Sequence, residues 1–109
     1  MYTKVDVMVE GDERPPVGAP VRVEARDTSR ADAPSVTVAA GEGEVRGRQG
    51  GWVETVEVNI PDRGDDCTIW AHIDVDRDGQ VSRGDYVTMA AYPVPSGQSA
   101  RLSIRVRKV

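Results

Sequence analysis

The stretch that decides the fold is residues 67–75, CTIWAHIDV, in which apolar and polar side chains alternate. One face of an extended strand would carry Cys67, Ile69, Ala71, Ile73 and Val75. The opposite face would carry Thr68, Trp70, His72 and Asp74. A period of two is typical of a β-strand with one buried and one exposed face. The sequence therefore predicts a strand here, with its apolar face turned into a core.

The same period recurs elsewhere along the chain, in residues 2–10, 21–27, 35–41, 52–60, 86–94 and 100–109. Val dominates the apolar positions, Phe is absent and Leu occurs once, a composition that suits strands better than helices. Residues 41–51, GEGEVRGRQGG, are too rich in Gly for a firm strand and are expected to form a mobile hairpin tip. We predict one all-β domain over residues 1–109, an antiparallel β-sandwich of about seven strands, immunoglobulin- or transthyretin-like.

The negative charge of the chain is concentrated in residues 62–85. That segment holds seven Asp and three Arg, whereas the rest of the chain holds 11 acidic and 11 basic residues. The net charge of −4 therefore arises entirely within it. An acidic chain has little affinity for nucleic acid, and clustered like charges are stabilised by a cation. A cation is the expected partner of this segment, and nucleic acid is excluded.

Residues 74–85, DVDRDGQVSRGD, have the spacing of a calcium-binding loop. Ca²⁺ takes about six to eight oxygen ligands, and all-oxygen ligation favours it over zinc or copper. Gly79 occupies the position at which such a loop turns sharply with positive φ. The predicted ligands are Asp74, Asp76, Asp78, the backbone carbonyl of Gln80, Ser82 directly or through a water, and Asp85.

This loop resembles the dockerin-type variant of the EF-hand, which ends in Asp, as Asp85 does here, and not in Glu. Helices flank an EF-hand loop, whereas both flanking segments here are predicted strands. The loop is therefore expected to join two strands. The alternative interpretation is an acidic surface turn that binds no metal.

No arrangement of residues typical of catalysis occurs. Cys67 is the only cysteine, lies in phase with the apolar face and has no activating neighbour. His72 is the only histidine, and its position on the polar face predicts a surface residue. The chain contains no GxSxG, phosphate-binding loop, dinucleotide fingerprint or HExxH motif. We predict that the protein is not an enzyme.

Two sets of side chains suggest a ligand surface. Trp70, Tyr86 and Tyr92 would form an aromatic platform for a sugar or peptide, unless they pack over a sheet face or under a loop. The last predicted strand places a polar row on one side, namely Arg101, Ser103, Arg105 and Arg107. Such rows are usually solvated faces or prevent an edge strand from pairing. They also suit the docking of an acidic partner.

Residues 21–40, VRVEARDTSRADAPSVTVAA, resemble the opening strands of the YbaY/YscW-type lipoprotein family, which contains the pilotin-like chaperones of type III secretion. The turn of that family is matched by Asp27, Ser29, Ala31, Asp32, Ala33 and Pro34. Residues 68–76, TIWAHIDVD, and residues 92–94, YPV, resemble its later strand pair. The resemblance implies a compact β-sandwich, a lipid-anchored address at the outer membrane and, for pilotins, the escort of a secretin. A lipidation cysteine and a signal sequence are missing, so only the fold is carried over.

The predicted function is calcium binding by a non-enzymatic β-sandwich module that the metal stabilises. The alternatives are a pilotin-like chaperone domain that binds another protein, with calcium incidental, and a carbohydrate-binding module. No stretch approaches the roughly 20 apolar residues that span a bilayer, and residues 1–10 alternate instead of forming a signal peptide. The expected location is the cytoplasm, or the periplasm or exterior for a trimmed exported domain.

Overall fold

The computed structural model describes residues 2–27, 36–47, 50–61, 67–94 and 100–109. The strands in these ranges are β1 (Tyr2–Val9), β2 (Pro20–Asp27), β3 (Val36–Glu44), β4 (Trp52–Asn59), β5 (Cys67–Ile73), β6 (Tyr86–Thr88), β7 (Tyr92–Val94) and β8 (Ala100–Lys108). The described ranges contain no helix that could cross a membrane. The all-β prediction is confirmed. The predicted turn at residues 29–34 and the acidic residues Asp62, Asp65 and Asp66 lie outside the described residues.

The described strands form a single sheet in the order β3-β2-β5-β6-β8-β1-β4, and β7 pairs with β5 next to β6. All neighbours are antiparallel except β1 and β8, which run parallel over their length. The structure thus differs in detail from the predicted antiparallel sandwich. One sheet curls on itself, and the first and last strands along the chain, β1 and β8, pair in parallel. Alternation along a strand indicates which face is buried, but it does not select the neighbouring strand.

The sheet curls until β3 approaches β4. The amide of Arg46 donates to the carbonyl oxygen of Val53 at 2.9 Å. A Cβ on Gly41 would lie 2.5 Å from the carbonyl oxygen of Glu57, so only Gly allows this approach. The expectation of a mobile hairpin tip is wrong for residues 41–44, which form the second half of β3. Gly41 thus allows close packing against the backbone of β4, and Gly43 makes room for the side chain of Glu54.

The core lies inside the curled sheet and consists mainly of β-branched side chains. The predicted apolar faces are confirmed, and Cys67 is buried with them. Residues 86–94 form two short strands instead of one, interrupted where Met89 is 56% exposed. The largest fully buried side chains include Val5, Val7, Val21, Val23, Val53, Val58, Ile60, Ile69, Ile73, Ile104 and Val106.

β8 lies between β1 and β6 in the sheet. It pairs with β1 over residues 100–106, but with β6 only over residues 106–108. Arg101, Arg105 and Arg107 are exposed on its outward face, as predicted. Because β6 covers β8 at Arg107, the interpretation of this row as protection of an edge strand is wrong for Arg107 and stays a prediction for the rest of the row.

Candidate metal centre

The acidic loop, defined as residues 74–85, connects β5 to β6 and is attached to the start of β2 and to the segment before it. The amide of Asp74 donates to the carbonyl oxygen of Pro20 at 2.9 Å. The guanidinium of Arg77 donates to the carbonyl oxygen of Gly18, also at 2.9 Å. Gly79 has φ of 78°, which confirms the predicted sharp turn at the sixth loop position. Arg77 also has positive φ, 59°, a conformation that its bond to Gly18 helps to hold.

The loop brings most of the predicted ligands together. One oxygen from each of four carboxylates lies within 4.8 Å of the others, in Asp74, Asp76, Asp78 and Asp85. The hydroxyl of Ser82 joins them, since its Oγ lies 2.7 Å from Oδ2 of Asp76 and 3.4 Å from Oδ2 of Asp85. Gln80 is exposed, and its backbone amide donates to Oδ1 of Asp78 at 2.9 Å.

Asp74 has one satisfied and one orphaned oxygen. Its Oδ2 accepts a hydrogen bond of 2.7 Å from the amide of Gly79. Its Oδ1 is buried, and no donor from the described residues reaches it. A buried carboxylate oxygen without a partner costs free energy. A cation among the four carboxylates would remove that cost.

Asp85 is fully buried and closes the loop. Its Oδ1 accepts from the amide of Val75 at 2.9 Å. Its Oδ2 lies 3.1 Å from the amide of Ser82 and 2.8 Å from Nε2 of His72. Burial raises the pKa of Asp85, but the hydrogen bonds from His72, Ser82 and Val75 outweigh it and hold that pKa below its usual value of 3.8. Both oxygens of Asp85 thus accept backbone hydrogen bonds, an arrangement that suits a carboxylate to which Nε2 of His72 donates.

His72 is buried, with 5% of its surface exposed, so the expectation of a surface position is wrong. The loop folds back over the outward face of β5 and covers the imidazole with Asp85. Trp70 flanks it on the same face, with the two ring centroids 5.7 Å apart. The signal in the sequence is that His72 and Asp74, the first predicted ligand, alternate onto the same side at the end of β5. Sequence reasoning missed the burial of His72 because its partner, Asp85, lies 13 residues further along the chain.

One half of the site is buried and the other is open to solvent. His72 and Asp85 form the buried half, and Asp76 and Asp78 are exposed. The pKa of Asp76 is lowered, mainly because its carboxylate accepts a hydrogen bond from the hydroxyl of Ser82. A cavity of 210 Å³ borders the loop, and its wall includes His72 and Asp74. An ion would therefore reach the carboxylates from the open side without unfolding the loop.

The three aromatic residues of the predicted platform do not share one exposed surface. Trp70 lies on the outward face, where the guanidinium of Arg26 stacks 4.0 Å above its ring. Tyr86 is buried, with 3% of its surface exposed. Tyr92 packs against the core, and its hydroxyl accepts a hydrogen bond of 3.1 Å from the amide of Arg105. The carbohydrate-binding interpretation thus lacks a flat aromatic row.

The fold is shared with a bacterial secretion protein. The chain is similar to the solved structure of an alternative pilotin from the type II secretion system of Vibrio cholerae, with a TM-score of 0.73 and 20% identity over 100% of this chain and 96% of that one. The sequence matches no protein-family model and no curated protein. The likeness agrees with the pilotin-like fold that the resemblance implied. Membership of the YbaY/YscW-type family and the dockerin-type character of the loop stay predictions.

Proposed function

We propose that this chain is a non-enzymatic domain that binds another protein. The observation that carries the proposal is the similarity of its fold, over its whole length, to a pilotin from a secretion system. The resemblance of residues 21–40 to pilotin-like chaperones supports the same class of function. The described titratable groups agree with a binding role, because His72 and Asp85 satisfy each other inside the fold and Cys67 is buried in the core.

The test is to identify a partner and to rebuild the complex from purified components. The tagged chain is cross-linked in the cells that produce it, and the attached proteins are identified by mass spectrometry. Each candidate is then purified and titrated into the chain by calorimetry. We expect saturable binding of one protein at fixed stoichiometry. If no purified candidate binds, the protein-binding function is wrong.

Calcium binding by the acidic loop is a second proposed function, favoured by the orphaned Oδ1 of Asp74. Four converging carboxylates repel one another, and Ca²⁺ would neutralise that repulsion. The residues that fit the ion are oxygen donors, whereas His72 donates to Asp85 and acts as a partner of a ligand. A ligand that binds only the folded state stabilises it by about 2.7 kcal/mol at a hundredfold excess over Kd.

Titration of chelator-treated protein with Ca²⁺ is expected to show a single site and to raise the melting temperature, with a smaller effect of Mg²⁺. The exposed Asp76 is a ligand in this proposal, so Asp76→Ala should abolish the heat while the β-sheet circular dichroism stays unchanged. Asp12→Ala, at an exposed position outside the loop, is the matched control and should bind as the wild type does. Wild-type protein that gives no heat and no shift would identify the loop as an acidic turn.

A further inference from the structure

Two of the three arginines on the outward face of β8 form no ion pair with the residues that the structure describes. Asp6 accepts two hydrogen bonds of 3.0 Å from the guanidinium of Arg101. Arg105 and Arg107 follow at alternate positions of the same strand, and neither forms an ion pair with the residues that the structure describes. Alternate residues of a strand repeat at about 6.6 Å. Two neighbouring guanidinium groups therefore point to solvent at the spacing of an extended chain.

The other arginines of the outer sheet surface contrast with this pair. Arg22 lies 2.9 Å from both Glu24 and Glu42, and Arg26 lies 3.1 Å from Glu24. The chain has more acidic than basic residues, with a net charge of −4. Acidic residues are thus available, yet Arg105 and Arg107 are exposed and form no ion pair with the acidic residues among those described. Because β6 pairs with β8 at Arg107, that arginine is not needed to prevent edge pairing.

A concave site lies next to Arg105. A depression of 260 Å³ is lined by Met8, Val9, Glu10, Gly11, Gly50, Gly51 and Arg105. Met8 is in register with Arg105 across the parallel pair of β1 and β8. Methionine adapts its shape to an apolar side chain, and arginine is enriched at the energetic centres of protein interfaces. The depression therefore has a mixed lining, in which the side chain of Met8 lies beside the cation of Arg105 and the carboxylate of Glu10.

We propose that this face docks an extended acidic segment of the partner protein. We call the face the basic strip, and it consists of Arg105, Arg107 and the depression at Met8. The segment places acidic side chains at alternate positions on the two guanidinium groups and an apolar side chain in the depression. The inference rests on the proposed protein-binding function and names the chemistry of the partner. Charge complementarity selects an acidic occupant, and the concave depression favours a peptide over a flat membrane surface.

The test uses the full chain and a fluorescein-labelled synthetic peptide in which Glu and Ser alternate after one Leu. Fluorescence anisotropy is expected to show saturable binding that weakens with salt. The double variant R105E/R107E should weaken it by about tenfold or more, since it reverses both contacts. Replacing the Leu of the peptide by Ser should also weaken binding. The matched control is K4E/R14E, which makes the same charge change at two exposed positions outside both proposed sites and should bind nearly as the wild type does.

If the control variant weakens peptide binding as much as R105E/R107E does, the loss is explained by net charge alone and the proposal is overturned. Binding to phosphatidylcholine vesicles that contain phosphatidylserine, but not to the peptide, would overturn it in favour of a membrane surface. If R105E/R107E loses its circular dichroism spectrum, R105Q/R107Q replaces it in the same assay. A reconstituted partner that binds R105E/R107E as tightly as wild type would refute the basic strip and leave the protein-binding function intact. Absence of any partner would refute both.

Discussion

Replacement of Asp85 by Ala is expected to lower the free energy of unfolding by about 3–5 kcal/mol. The carboxylate is fully buried and accepts from His72, from the amide of Val75 and from the amide of Ser82. Its removal leaves these donors buried without an acceptor, which costs more than the bonds contribute when made. Urea denaturation of metal-free protein, followed by circular dichroism, measures the change.

The control for this prediction is Asp78→Ala, in the same loop. Asp78 is exposed, and the one hydrogen bond described for its carboxylate comes from the backbone amide of Gln80. The loss in free energy of unfolding should therefore be below about 1 kcal/mol. Asp85→Asn keeps the shape of the side chain but turns one acceptor into a donor that faces another donor, so it should also be strongly destabilising. Equal midpoints for Asp85→Ala and Asp78→Ala would show that Asp85 does not hold the loop.

Substitution of Gly41 by Ala is expected to cost about 2–3 kcal/mol, and more if the sheet opens there. The new Cβ would lie 2.5 Å from the carbonyl oxygen of Glu57 and 2.8 Å from Cγ1 of Val56. The first of these atoms belongs to the backbone, which moves only if β3 withdraws from β4. Chemical denaturation measures the loss of stability, and hydrogen exchange of the β3 and β4 amides locates it.

Gly47→Ala is the matched control, because a Cβ at Gly47 meets nothing within 4 Å. That substitution should leave stability unchanged or raise it slightly, since Ala restricts the unfolded chain more than Gly does. An unfolding midpoint of Gly41→Ala that coincides with that of Gly47→Ala would show that β3 does not lie against β4.

The two proposed binding sites are connected through the end of the chain. The amide of Val109 donates to the carbonyl oxygen of Asp85 at 2.8 Å, and the amide of Gly84 donates to the carbonyl oxygen of Val109 at 3.1 Å. Val109 directly follows β8, which carries the basic strip. Calcium titration and peptide binding should therefore be measured on both sets of variants, so that an effect transmitted along β8 is separated from a direct one.

The sequence by itself determined the properties that arise within a few residues. The period of two placed Val5, Val23, Ile69 and Ile104 in the core, because successive side chains of a strand point to opposite faces. The spacing of the acidic loop likewise brought Asp74, Asp76 and Asp78 together. A loop of that length returns on itself, and Gly79 supplies the left-handed residue of the turn.

The tertiary structure alone decided which distant segments meet. Alternation does not specify that β8 pairs in parallel with β1, because any strand with a buried face satisfies the same pattern. The place of β8 between β1 and β6 depends on two such long-range pairings, and it decides which strands lie beside Arg105 and Arg107. The pairing of His72 with Asp85, and the approach of Gly41 to Glu57, likewise depend on the curl of the whole sheet. Contacts between segments far apart in the chain are selected by the packing of the common core, and no local pattern records that selection.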